Sequence, residues 1–60
     1  MDKLKQKREE QGLTQEELAN KSNVSRSLIN QLETGKLEST STKTLKKLAE
    51  ALGCGITDLL

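Results

Sequence analysis

One stretch of sequence decides the fold: residues 14–33, which read TQEELANKSNVSRSLINQLE. Its first four residues, Thr14-Gln15-Glu16-Glu17, have the pattern of a capping box. In that motif a Thr hydroxyl and the carboxylate of a Glu three residues later bond to each other's free backbone amides at a helix start. Ser25 is a good N-cap for a following helix. The stretch therefore predicts two short helices joined by a turn, at about residues 15–21 and 26–33.

The residues inside this stretch meet the packing demands of a helix-turn-helix. Counted from Gln15, the fifth place needs a small side chain because the two helices touch there, and it holds Ala19. The ninth place needs a residue that tolerates positive φ, which Asn23 does. The fifteenth needs an apolar side chain at the helix crossing, and it holds Ile29. This geometry lets the second helix stand in a DNA major groove.

Apolar residues at helical spacing predict three more helices, at about residues 2–11, 42–52 and 56–60. The chain has no Phe, Trp or Tyr, so aliphatic side chains must build the core. We expect an all-α domain of five helices over residues 1–60. Its predicted core contains Leu4, Leu13, Leu18, Ala19, Val24, Leu28, Ile29, Leu32, Leu45, Leu48, Ala49 and Leu52.

The composition excludes most catalytic and cofactor-binding classes. The 60 residues include no His and one Cys, Cys54, so a four-ligand zinc site and His-dependent nucleophile systems are excluded. No phosphate-binding loop motif occurs, and single-stranded nucleic acid would find no aromatic side chains for base stacking. We expect no enzyme activity, no metal and no cofactor. Cys54 is interpreted as a small apolar core residue, with a reactive thiol as the alternative.

Two further features concern location and charge. No apolar run approaches the roughly 18 residues that span a bilayer, and no signal-peptide pattern opens the sequence. A cytoplasmic protein is the simplest expectation. The net charge is only +1, which is low for a nucleic-acid-binding domain. The charges are segregated, however: Lys21, Arg26 and Lys36 lie in or near the second helix of the pair, and acidic residues such as Glu16 can point away.

The sequence resembles the Cro/CI-type (XRE-like) helix-turn-helix domains of phage repressors and bacterial transcriptional regulators. The resemblance spans residues 4–60, and its matching segments are 12–19, 24–29, 32–36 and 45–53. It implies a lambda-repressor-like fold and a nucleoid-associated protein, bacterial or phage-encoded, that binds double-stranded DNA in the major groove. It also implies a homodimer that represses transcription from two half-sites about one helical turn apart.

The resemblance assigns roles to the outward residues of the pair. It places Arg26, Ser27 and Gln31 at base-reading positions, with Asn30 beside them. Arginine can pair with guanine O6 and N7, and Asn or Gln can pair with adenine N6 and N7. The Gln15 amide can also support a side chain of the second helix. The residues expected to contact phosphates are Thr14, Gln15, Ser25, Thr34 and Lys36.

Two further assignments concern packing. The resemblance implies that Arg8 and Glu33 form a partly buried ion pair between the first and third helices. Ser22 occupies a place that is often apolar in such domains, which predicts looser packing there.

The last predicted helix, with Ile56, Leu59 and Leu60, has three open interpretations. It is a dimer contact, the last layer of the core, or a junction to a further domain.

An alternative function from another class also fits the fold. The same domain can serve as a protein-interaction module that holds a toxin, an antagonist or another regulator, with DNA binding secondary. Salt dependence of binding to random duplex separates the two classes, because phosphate contacts weaken as salt rises.

Overall fold

Four α-helices and one 3-10 turn form the structure, a computed structural model that describes residues 1–60. The helices are α1 (Asp2–Glu10), α2 (Gln15–Ser22), α3 (Arg26–Thr34) and α4 (Thr42–Leu52). The predicted bounds of these four helices agree with the structure to within one residue at each end. None of them has the length and apolar character to cross a lipid bilayer.

The helices enclose an aliphatic core, and α3 packs against two other helices. α3 contacts both α1 and α2, while α4 contacts α2 and the 3-10 turn. The predicted core is confirmed, except that Leu13, Ala19 and Leu28 are only partly buried against it. The largest side chains that are fully buried are Leu4, Leu18, Ile29, Leu32, Leu48 and Leu59.

Side-chain caps begin α2 and α3 where the sequence predicts them. Glu17 N donates to Thr14 Oγ1 at 3.0 Å, and Thr14 N donates to Glu17 Oε1 at 2.8 Å, which completes the capping box. Leu28 N donates to Ser25 Oγ at 3.1 Å. These bonds satisfy amides that a helix start leaves free, so both helices begin at fixed residues.

The turn between α2 and α3 depends on two small polar residues. Asn23 has φ 60° and ψ 33° and is the only non-glycine residue with positive φ, as predicted. The Ser22 hydroxyl donates to Leu18 O at 2.7 Å and accepts from Val24 N at 3.3 Å, and Ser22 is buried. The expected looser packing at Ser22 is wrong, because both hydrogen-bonding functions of its hydroxyl are satisfied inside the turn.

Replacing Asn23 by alanine is expected to lower the free energy of unfolding by about 1 kcal/mol, because a Cβ without a compensating polar group is strained at positive φ. Asn23→Gly should leave stability nearly unchanged. Urea unfolding measures both, with Asn20→Ala on the exposed side of α2 as a control. Equal stability of the alanine and glycine variants at position 23 would show that the turn relaxes to another conformation.

The prediction of a fifth α-helix over 56–60 is wrong, because Ile56–Leu59 forms a single 3-10 turn. Its backbone bonds span three residues: Asp58 N donates to Gly55 O at 3.0 Å. The Asp58 carboxylate also accepts from Gly55 N at 2.9 Å, which closes the turn tightly. Such bonding favours short segments.

The three apolar residues at this end differ in exposure. Leu59 is 1% exposed and belongs to the core. The prediction that it is a dimer contact is therefore wrong. Ile56 is half-buried against the core, whereas Leu60 is 65% exposed. Only Ile56 and Leu60 therefore retain surface that a second molecule could touch.

Candidate nucleic-acid interface

The α3 helix buries one face and leaves a polar face open to solvent. Ile29, Leu32 and Glu33 are buried on the inner side. On the other side Arg26, Ser27, Asn30 and Thr34 are exposed, and Gln31 is half-buried. The candidate base-reading residues therefore lie together on one open helix face.

The side chains on this face differ in how far they are already engaged. Arg26 takes part in neither of the chain's two ion pairs. Gln31 Nε2 donates to Ser27 Oγ at 3.4 Å, one helical turn back. Thr34 Oγ1 donates to Asn30 O at 2.9 Å, so its hydroxyl hydrogen is used inside the helix. Arg26 is thus the free cation at the start of the face.

A polar groove runs beside the first turns of α2 and α3. Its lining residues are Arg8, Thr14, Gln15, Glu16 and Arg26. The dipole of a helix start favours an anion, and Arg26 reinforces that preference, whereas the charge of Arg8 is balanced by Glu33. Glu16, which was expected to point away from this region, lines the groove and places one negative charge there.

Arg8 and Glu33 form a bidentate ion pair that ties α1 to α3. Arg8 Nε lies 2.7 Å from Glu33 Oε2, and Arg8 Nη2 lies 3.0 Å from Glu33 Oε1. The third nitrogen, Nη1, donates to Leu13 O at 2.5 Å. The two side chains are 11% and 2% exposed. The pair therefore fixes α3 against both α1 and the segment that leads into α2.

The Gln15 side chain extends this ion pair to the open face of α3. Gln15 Nε2 donates to Glu33 Oε1 at 3.1 Å, and Gln15 Oε1 accepts from Asn30 Nδ2 at 3.4 Å. Support of an α3 side chain by Gln15 was expected, but the bond to Glu33 was not. The Gln15–Glu33 bond depends on the angle at which α2 meets α3, so the residue spacing within either helix does not predict it.

The hydroxyls that cap the two helices remain able to donate outward. Thr14 Oγ1 and Ser25 Oγ each accept from a backbone amide, which leaves the hydroxyl hydrogen free. Thr34 differs, because its hydrogen is engaged with the α3 backbone.

The lysines beyond α3 differ in exposure. Lys36 is exposed just after α3. In α4, Lys43 and Lys46 are exposed, while Lys47 is half-buried.

The charge state of Glu33 is set by opposing influences. Burial alone would raise the pKa of its carboxyl group, but hydrogen bonds from Arg8 and Gln15 and the positive charges of Arg8 and Lys5 outweigh this effect. The pKa of Glu33 is consequently below its usual value, and that of Arg8 is raised by the hydrogen bond to Glu33. Both groups are charged at neutral pH.

A pH dependence of stability follows from the lowered Glu33 pKa. The stabilisation is complete above the ordinary glutamate pKa of about 4.3 and is lost as pH falls through the lower pKa of the folded state. Glu33→Gln should therefore be less stable than the parent at pH 7, and the difference should shrink towards pH 2. Urea unfolding of both proteins from pH 2 to 7 measures this, and a constant difference would contradict it.

Comparison with known families identifies the fold. The family model described as Helix-turn-helix matches residues 4–59. The chain belongs to this helix-turn-helix family. The match confirms the resemblance to the XRE-like, Cro/CI-type domains and indicates a DNA-binding regulator. The search of the curated proteins and that of the solved structures gave no match.

Within the helix-turn-helix family, α3 corresponds to the recognition helix and α2 to the helix that supports it. The open polar face described above belongs to this α3 helix, and the groove lies beside the first turns of both helices.

Proposed function

We propose that this helix-turn-helix protein binds specific double-stranded DNA sequences and represses transcription as a homodimer on two half-sites. The observation that carries the proposal is the open face of α3, where five polar side chains, Arg26, Ser27, Asn30, Gln31 and Thr34, stand next to the polar groove. The face is held rigidly, because α3 is capped at Ser25 and tied through Glu33 to the ion pair with Arg8.

Base reading is assigned to the outward residues of α3. Arg26, free at the start of the helix, pairs with guanine O6 and N7. Gln31 and Asn30 carry amides that suit adenine N6 and N7. The Ser27 hydroxyl can donate or accept, so it contributes little discrimination by itself.

Phosphate contacts are assigned to groups around the groove. Thr14 and Ser25 donate their free hydroxyl hydrogens, Gln15 donates its second Nε2 hydrogen, and Lys36 supplies a charge at the other end of α3. Thr34 remains a weaker proposal, since its hydroxyl must first leave the helix backbone. These contacts set the register of the protein on the duplex.

The dimer is proposed because one copy carries few cationic groups on the DNA-facing side. A single domain should bind random duplex only weakly, with a dissociation constant of order 10⁻⁴–10⁻⁶ M. The domain measures 23 × 21 × 19 Å between Cα atoms, so two copies fit on half-sites about 34 Å apart without overlap. Ile56 and Leu60 are the remaining candidates for the contact between copies.

The test of the proposal uses Arg26→Ala against Lys36→Ala. Arg26→Ala should relax selectivity at one base position at a cost of about 1–3 kcal/mol, because it removes a bidentate contact to a base. Lys36→Ala should weaken binding to all sequences alike and reduce the salt dependence by about one phosphate contact. Sites selected from a random duplex library, followed by anisotropy titrations at several salt concentrations, provide both measurements.

Three outcomes would contradict the proposal. One is unchanged site selectivity in Arg26→Ala, which would remove α3 from the base-reading position. Another is binding to duplex that does not respond to salt, which would favour the protein-interaction module. A third is a selected site with no second half-site, which would exclude the dimer.

A further inference from the structure

The contacts that join Glu33, Gln15 and Asn30, which we call the amide chain, have a polarity that chemistry dictates. An ionised carboxylate can only accept hydrogen bonds, so Gln15 must turn its Nε2 towards Glu33 Oε1, 3.1 Å away. Gln15 Oε1 then faces α3 as an acceptor, and Asn30 must turn its Nδ2 towards it, at 3.4 Å. The orientation of both amides thus follows from one buried carboxylate.

We propose that Glu33 is a positioning residue for DNA reading: through Gln15 it orients the Asn30 amide so that Oδ1 accepts from an exocyclic base amine. The inference rests on the proposed function, because it assigns a class of base to one residue of the same recognition face. In the major groove adenine N6 and cytosine N4 are donors, whereas guanine O6 and thymine O4 are acceptors. In this orientation Oδ1 pairs with the amine of adenine or cytosine but lies unfavourably against the oxygen of guanine O6 or thymine O4, so Asn30 prefers adenine or cytosine.

Adenine is the preferred partner of the two. Asn30 Nδ2 carries two hydrogens, and only one of them is needed for Gln15 Oε1. The second can donate to adenine N7 while Oδ1 accepts from N6, which gives a bidentate contact. Cytosine offers the amine alone.

The amide of Gln31 provides an internal comparison. Its partner is the Ser27 hydroxyl, at 3.4 Å, and a hydroxyl can accept or donate. Gln31 can therefore reverse its amide without losing the contact with Ser27. The base that it meets in the duplex then determines which end of the amide faces the DNA. Asn30 lacks this freedom because its contacts end on a carboxylate. The Asn30–Gln15 contact lies on the exposed surface, and exclusion of water by bound DNA strengthens it.

The experiment compares base preferences in sites selected from a random duplex library. The variants are Gln15→Met, Asn30→Ala and the double variant, because Gln15→Met removes the amide that joins Glu33 to Asn30 and leaves the Arg8–Glu33 ion pair in place. The parent should prefer adenine or cytosine by about tenfold at one position. Asn30→Ala should abolish that preference, Gln15→Met should reduce it to roughly twofold, and the double variant should behave as Asn30→Ala alone does. Gln15→Met should also lower the overall affinity for DNA, because it removes a proposed phosphate contact. The base preference is a ratio of affinities measured on the same variant, so it does not depend on that loss.

A second variant, Glu33→Gln, tests the origin of the polarity. An amide at position 33 can donate to Gln15 Oε1, so the chain can reverse and Asn30 can then present its N–H groups. Guanine or thymine should consequently be accepted at the same position, an effect that a purely structural role of Glu33 would not produce. Circular dichroism establishes the temperature at which this variant is folded, and Gln15→Met decides the question if it does not fold.

Several results would overturn the inference. It fails if Asn30→Ala alters no base position, if that position prefers guanine or thymine in the parent, or if Gln15→Met leaves the preference intact. If the selected sites in any of these cases still show the base position that depends on Arg26, the proposed function stands and only the inference is rejected. If the parent selects no sequence at all, the proposed function fails and the inference fails with it.

Discussion

Replacing Glu33 by alanine is expected to lower the free energy of unfolding by about 3 kcal/mol. The change leaves the Arg8 guanidinium, only 11% exposed, without its carboxylate partner. It also removes the acceptor of Gln15 Nε2. A domain of 60 residues has a total stability of roughly 3–9 kcal/mol, so this loss is a large part of the whole.

Urea unfolding measures the Glu33 effect, with Glu38→Ala in the exposed loop before α4 as a matched control. The double variant Arg8→Met, Glu33→Met should recover much of the loss, because two apolar side chains leave no buried charge unpaired. A loss below about 1 kcal/mol in Glu33→Ala would show that the pair behaves as an ordinary surface ion pair.

Ile29→Ala is expected to cost about 3 kcal/mol, since it leaves a cavity beneath the recognition helix. Ile29 is completely buried, at the position predicted to fill the crossing of α2 and α3. Ile29→Val removes one methylene group from the same place and should cost only about 1 kcal/mol. Because valine keeps the β-branch, the cost of Ile29→Val reports the loss of packing alone.

The Ile29 series is measured by thermal and urea unfolding. Leu37→Ala is the control, because Leu37 is 38% exposed and outside the core, and it should lose much less stability. DNA affinity of folded Ile29→Ala should also fall, as a recognition helix that is less firmly packed presents its face less uniformly. Equal stability of Ile29→Ala and Leu37→Ala would contradict the assigned crossing.

Most of the helix boundaries were predictable because they depend on atoms only a few residues apart. The capping box joins Thr14 to Glu17, and the Ser25 cap reaches Leu28, so each motif is complete within four residues of sequence. Asn23 likewise sets its own backbone conformation. The short last segment was predicted less well, because helical spacing of apolar residues does not distinguish an α-helix from a 3-10 turn.

The candidate site was predictable only in outline. The sequence indicates which residues lie on the outer face of α3, since helical periodicity alone determines that. Glu16 was misplaced because its position relative to Arg8 and Arg26 depends on how three elements meet. Ser22 was misjudged because its polar side chain was considered without the backbone groups that satisfy it.

The sequence by itself determined the four helices, the caps of α2 and α3, the left-handed turn and the polar face, because each arises from interactions within one or two helical turns. Only the tertiary structure decided that Leu59 is core, and that Arg8, Glu33, Gln15 and Asn30 form one continuous set of hydrogen bonds. Those bonds join residues 15 to 25 positions apart along the chain. Their geometry is set by the angles between packed helices, which depend on the whole core.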